Sequence, residues 1–99
     1  MRFEFEGSEA RVSLIGEFTF TDYAMFREIL SRLTRTRDTE IAIDLSRLDF
    51  VDSAALGMLL IARDEVEKAN CSLTLVRPQK QVDRVFAVTK FDTLFTIER

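Results

Sequence analysis

The sequence predicts an α/β fold: a mixed β-sheet of four to five strands with helices packed mainly on one face. Two observations carry this. The hydrophobic period switches along the chain between the 2 of a strand and the 3.6 of a helix. The resulting order is strand, strand, helix, strand, helix, strand, helix, strand, and strands that alternate with helices imply a sheet at least partly parallel. The second observation is size. The chain has 99 residues, 46% of them apolar, with three Gly and one Pro and no internal repeat or linker. Such a chain suits one packed core and a single domain over residues 1–99, burying roughly two-thirds of the surface it exposes when unfolded.

Each element follows from its residues. Arg2–Glu6 alternate polar and apolar with Phe3 and Phe5 on one face, and Arg11–Ile15 repeat the pattern with Val12 and Leu14. Gly7-Ser8-Glu9-Ala10 has turn chemistry, so the two segments read as an antiparallel hairpin whose second strand ends at Gly16. From Thr21 the period changes, and Phe26, Ile29, Leu30 and Leu33 fall on one helical stripe. Thr21 is the expected N-cap, and Asp22 suits the positive end of the helix dipole. Arg32, Arg35 and Arg37 gather at the other end. They either stabilise the helix C-terminus, with Asp38 and Glu40 neutralising them, or form a phosphate-binding patch.

Glu40–Leu45 is a buried strand through Ile41, Ile43 and Leu45, and Ser46–Asp52 reads as a connection. Ser53–Asn70 is a long helix with an inner stripe of Ala55, Leu59, Ala62, Val66 and Ala69. Asp64 and Lys68 form an i, i+4 pair on its outer face. Cys71–Val76 is another strand. Pro78 stops it and can start a helix, where its missing N–H is no loss, with Val82, Val85 and Phe86 as the apolar face. Phe91–Ile97 closes the chain as a turn and a last strand.

Composition excludes several function classes. There is no His and a single Cys, Cys71, so the usual zinc ligands, His-based catalysis and an intrachain disulfide are all missing. Ser53 as a hydrolytic nucleophile has no base near it in sequence. No metal, no cofactor and no catalytic residue are expected, and the chain does not read as an enzyme. The net charge of −3 argues against nucleic acid as the main partner. No apolar run approaches the roughly 18 to 20 residues that span a bilayer, so direct membrane insertion is not expected. Met1-Arg2-Phe3-Glu4-Phe5-Glu6 alternates with charges and is no signal peptide, which makes the expected location the cytoplasm.

The informative segment is Asp44-Leu45-Ser46-Arg47-Leu48-Asp49-Phe50-Val51-Asp52-Ser53-Ala54-Ala55-Leu56-Gly57. A strand ends, a short loop follows, and a Ser stands at the mouth of the long helix. Ser53, or Asp52 beside it, caps that helix. The same place exposes a hydroxyl to another protein, and the free N–H groups and positive dipole end tolerate a phosphate. The helix start, with Leu56, Met58, Leu60 and Ile61, is apolar on more than one side. It reads as a partner surface or as a face covered by neighbouring elements.

These features resemble the STAS domain of bacterial anti-sigma factor antagonists. Asp44-Leu45 ahead of Phe50-Val51-Asp52-Ser53 resembles the strand leading to the family's phosphorylation loop. Gly16-Glu17-Phe18 resembles its Gly-Glu-hydrophobic segment, and Leu56-Gly57 the stretch after the phosphoacceptor. Arg84-Val85-Phe86 followed by Phe91 and Leu94-Phe95 resembles the closing helix and turn, so the likeness covers essentially the whole chain. It implies a protein-binding switch. The unphosphorylated domain binds an anti-sigma factor that is also a serine kinase, phosphorylation at Ser53 releases it, and a PP2C-type phosphatase reverses the modification. The implied partner-binding residues are Glu17, Thr19, Asp22, Asp52, Ala54, Ala55, Leu56 and Met58. Two places depart from the family's pattern. Ala54 and Ala55 stand where Ser or Thr and then Gly are common, which leaves Ser53 as the one hydroxyl between Phe50 and Gly57, and Thr19 stands where Asp is common. The alternative that the resemblance implies is a constitutive, unphosphorylated STAS subunit, for example of a lipid-trafficking ABC transporter.

Overall fold

Alternation along a strand sends successive side chains to opposite faces, and here it sorts them into an apolar and a polar sheet face. The computed structural model describes residues 1–99, and in it five strands lie in the order β1-β2-β3-β4-β5. β1 (Arg2–Phe5) is antiparallel to β2 (Arg11–Phe18). β2, β3 (Glu40–Val51), β4 (Ser72–Val76) and β5 (Thr96–Glu98) are parallel. The connections between the parallel strands carry α1 (Tyr23–Thr34), α2 (Ser53–Lys68) and α3 (Lys80–Thr89). The predicted fold class and order of elements are present.

Register fixes which residues share a face. Phe5 lies opposite Val12, Val12 opposite Ile43, Ile43 opposite Leu75 and Leu75 opposite Ile97. The helices bury their stripes against this row: Phe26, Ile29, Leu30 and Leu33 from α1, Ala55, Met58, Leu59, Ala62 and Val66 from α2, Val82 and Phe86 from α3. All of these helix side chains belong to one cluster of 23 buried residues, against which Phe5 and Ile97 pack half-buried. Phe18 packs on Phe26 with ring centroids 4.9 Å apart, and Phe91 stacks between Phe86 and Phe95 at 5.2 and 5.1 Å.

The opposite face is mostly polar, with Ile15, Ala42 and Val76 set among its polar side chains. Ser13 and Asp44 lie side by side on it, and Asp44 is 4% exposed. Asp44 accepts the Ser46 N–H at 2.9 Å and meets Arg11 at 3.2 Å and Arg77 at 3.4 Å. Burial pushes its carboxyl up, but the Ser46 hydrogen bonds and the two guanidinium groups outweigh that and hold it below the usual carboxylate range. Arg47 pairs with Glu4 across the same face at 3.0 Å.

Several boundaries differ from the sequence reading. β2 does not end at Gly16 but runs through it to Phe18, because Gly16 adopts φ +96° and bends the strand without breaking it. Ser46–Val51 is strand, not connection. β3 carries two extra residues against β2: Ser13 and Ile15 face Asp44 and Arg47, and Gly16 and Glu17 face Leu48 and Phe50. These bulges broke the period of two. Thr21 lies in a short 3-10 turn, Phe20–Asp22, and α1 starts at Tyr23. α2 stops at Lys68, with Ala69 exposed at its C-cap and Met58 taking the place expected of Ala69 in the inner stripe. Asp64 pairs with Arg63 at 3.5 Å instead of with Lys68, and Glu65 pairs with Arg27 at 2.8 Å. β4 begins at Ser72 and α3 at Lys80, with Pro78 buried just before it. Of the cations ending α1, Arg32 pairs with Glu9 at 3.3 Å and lies over the Phe5 ring at 3.9 Å. Arg35 donates to the Ser31 carbonyl at 3.1 Å, so these two side chains are engaged within the fold.

Asp44→Asn tests the polar face. Its folded pKa is depressed, so its contribution is full above the unfolded value of about 3.9 and is lost as pH falls through the lower folded value. The substitution is expected to cost about 1–3 kcal/mol near neutral pH. In paired urea melts the gap between wild type and variant narrows below about pH 4. A gap independent of pH would show that the carboxylate charge contributes nothing.

Candidate functional site

The site forms where β2 and β3 end together. Phe18 lies opposite Val51, and the Asp52 N–H donates to the Phe18 carbonyl at 3.2 Å. Gln81 of α3 fastens the same edge. Its amide accepts the Val51 N–H and donates to the Val51 carbonyl, each at 3.1 Å. Asp52 therefore leaves the sheet in extended conformation, φ −100° and ψ 179°, at a fixed place and direction.

That geometry makes Asp52 the N-cap of α2. Its Oδ1 accepts the Ala55 N–H at 2.8 Å, satisfying one donor that the first turn leaves unpaired. Its Oδ2 reaches across the chain and accepts the Phe20 N–H at 3.0 Å. One carboxylate thus joins the start of α2 to the turn after β2. The turn has its own tie: Asp22 accepts the Thr19 N–H at 2.9 Å and lies 3.4 Å from the Met1 amino group. The Thr19 and Thr21 hydroxyls are 2.9 Å apart.

Ser53 follows as the first residue of α2. Its side chain is exposed, and the capping bond belongs to Asp52, so no structural duty falls on its hydroxyl. Of the two caps the sequence left open, the structure uses Asp52.

The other residues singled out in the sequence divide by burial. Glu17 and Ala54 are exposed, and Thr19, Asp52 and Leu56 are half-buried around Ser53. Asp22, Ala55 and Met58 are buried, Ala55 and Met58 within the core cluster, so these three support the surface from beneath. Sequence reasoning missed the aromatic side chains. Phe20 is 70% exposed and Tyr23 55%, and Phe50 and Ile61 also stand exposed. Phe20 lies ahead of the helical stripe that begins at Phe26, which was the available signal. Phe50 is turned outward by the bulged register, which the sequence pattern hid. No group of three or more His, Cys, Asp or Glu is placed to hold a metal ion, and no helix is long and apolar enough to cross a membrane.

Three comparisons bear on this arrangement. The family model described as "Mlab, STAS domain" matches residues 1–97. A STAS-domain containing protein of Pseudomonas aeruginosa is 32% identical over 92 residues, covering 93% of this chain and 90% of that protein. The chain therefore belongs to the STAS-domain family. Among solved structures, an anti-sigma factor antagonist from Mycobacterium paratuberculosis superposes with a TM-score of 0.82 at 19% identity, over 98% of this chain and 84% of that one. The unphosphorylated anti-sigma factor antagonist SpoIIAA gives 0.77 at 22% identity, over 99% and 89%. The phosphorylated form of SpoIIAA from Bacillus gives 0.70 at 22% identity, over 99% and 92%. At these identities the likeness establishes the fold.

The capping assignment is checked by two variants. Asp52→Ala is expected to lose about 1–2 kcal/mol, and Ser53→Ala no more than about 0.5 kcal/mol. Circular dichroism melts of both proteins measure this, and the reverse order of losses would make Ser53 the cap.

Proposed function

From its membership of the STAS-domain family, we propose that the chain is an anti-sigma factor antagonist, a single-domain protein switch working in the cytoplasm. Unphosphorylated, it binds an anti-sigma factor that is also a serine kinase, and so frees the sigma factor. Phosphorylation at Ser53 ends the complex, and a PP2C-type phosphatase restores the binding form. The observation that supports this reading best is the division of labour between neighbours: Asp52 caps α2, which leaves the exposed Ser53 hydroxyl free for chemistry. The fold shared with SpoIIAA, solved in both unphosphorylated and phosphorylated forms, supports it further.

The chain is the substrate in that step and supplies no catalytic group. Ser53 Oγ attacks the γ-phosphorus of ATP held by the kinase, its proton leaves to a base of the kinase, and ADP departs. The phosphoserine brings a charge of about −1.5 to −2 to the N-terminus of α2, where the dipole tolerates it. It stands next to the Asp52 carboxylate. The fold keeps its cap, and the docking surface acquires a dianion that a partner must desolvate or repel.

A second reading keeps Ser53 unmodified in a constitutive subunit, for example beside the ATPase of a lipid-trafficking ABC transporter. The family model's description, which names Mlab, supports it. So do the exposed apolar side chains beside α2, which suit a permanent interface equally well.

Calorimetry separates the two. Wild type, Ser53→Ala and enzymatically phosphorylated protein are each titrated with every anti-sigma serine kinase of the host. Phosphorylation is expected to weaken binding on the order of tenfold or more. Ser53→Ala binds constitutively, and Ser53→Asp falls between them because one carboxylate has about half the charge of a phosphate. Equal affinity for phosphorylated and unphosphorylated protein would remove the switch and leave the constitutive subunit.

A further inference from the structure

Phe20 is an unusual residue to leave in water. It is the most exposed aromatic side chain of the protein, at 70%, yet its backbone is tied to the start of α2. Its N–H is held by the Asp52 carboxylate at 3.0 Å, and the turn that carries it is closed by the Thr19 N–H to Asp22 bond at 2.9 Å. Tyr23, 55% exposed, follows three residues later, the spacing at which side chains of a 3-10 turn line up. Tyr23 and Ile61 then edge a shallow groove between α1 and α2 whose floor is Phe26, Leu30 and Met58. Phe20 and Tyr23 thus form an exposed apolar ridge on a turn that Asp52, the neighbour of Ser53, ties to α2.

At the ends of β2 and β3, from which this turn departs, the exposed unpaired charges are acidic. Glu17 lies opposite Phe50 at the end of the paired strands, and Asp49 precedes Phe50. Both carboxylates are exposed, and neither enters an ion pair. Arg27, the cation of the groove, is already paired with Glu65 at 2.8 Å. Two copies meeting ridge to ridge would bring these carboxylates together, so a second copy is disfavoured.

We infer that Phe20 is the anchor of partner recognition: it inserts into an apolar socket of a protein partner whose rim carries Lys or Arg to meet Glu17 and Asp49. This inference rests on the proposed anti-sigma partner and names the chemistry of its docking surface. An aromatic side chain has only two rotatable bonds, so on a tied backbone it loses little conformational freedom on burial, and aromatics are the residues in which interface energy concentrates.

The test is calorimetry of wild type, Phe20→Ala, Phe20→Leu and Ser53-phosphorylated protein against each anti-sigma serine kinase of the host, with a thermal melt of every sample. Phe20→Ala is expected to keep its melting temperature and lose affinity by about tenfold or more, and Phe20→Leu to recover part of the loss. Wild-type affinity falls with added salt, and Glu17→Gln with Asp49→Asn flattens that dependence. Wild-type affinity in Phe20→Ala overturns the anchor. If phosphorylation still blocks binding in that case, the switch survives without it. Loss in Phe20→Ala with no effect of phosphorylation upholds the anchor and removes the switch. A sedimentation shift of wild type alone that Phe20→Ala abolishes would make the occupant a second copy and overturn the partner assignment, as would a panel in which no kinase binds.

Discussion

A single carboxylate holds the functional end of this protein together. Asp52 accepts the Ala55 N–H with one oxygen and the Phe20 N–H with the other. The two carboxylate oxygens take one donor each, whereas a Ser or Thr cap would have to serve both from a single oxygen. Hydrogen bonds to a charged acceptor contribute up to about 1.5–3 kcal/mol each, but Asp52 is half open to water, so its two bonds together stay near a helix cap's value of about 1–2 kcal/mol. The bond to Ala55 relieves Ser53 of a capping role. The bond to Phe20 fixes the backbone of the turn from which that aromatic side chain projects into solvent. Both functional features of the site follow from where Asp52 sits.

That position depends on the sheet. In open α/β sheets the chemistry gathers outside the carboxyl ends of the parallel strands, and β2, β3 and the start of α2 meet there in this chain. Parallel strands usually have both faces covered, whereas this sheet buries one face and meets water with the other. Polar side chains make that tolerable. Ser13, Thr74 and the buried Asp44 line the open face, and Arg11 and Arg77 converge on the Asp44 carboxylate from β2 and from the end of β4. The apolar face, by contrast, needs all three helices, which fixes the axis of α2 and hence the place of its N-terminus.

Much of this was legible in the sequence because the core stripes obey simple periods. Phe26, Leu30, Leu59 and Val66 point inward as their spacing demands, and Val12, Ile43 and Leu75 share a face. The segment around Ser53 was legible from the order strand, loop, hydroxyl, helix. What failed did so for local reasons. Two extra residues in β3 hid half of that strand, since a bulge destroys the alternation by which strands are read. Gly16 looked like a stop because glycine both ends and bends strands, and only its φ of +96° decides between them. Asp22 looked like a surface residue, because a buried carboxylate satisfied by the Thr19 N–H and the Met1 amino group leaves no mark in a sequence. Asp52 and Ser53 are adjacent and both cap helices well, so their roles were separable only by geometry.

Amide hydrogen exchange at Phe20 and Ala55 tests the central claim most directly. Asp52→Ala is predicted to deprotect both amides together, beyond the change in intrinsic rate, while Ser53→Ala leaves both protected. Deprotection of Ala55 by Ser53→Ala, or continued protection of Phe20 in Asp52→Ala, would contradict the account.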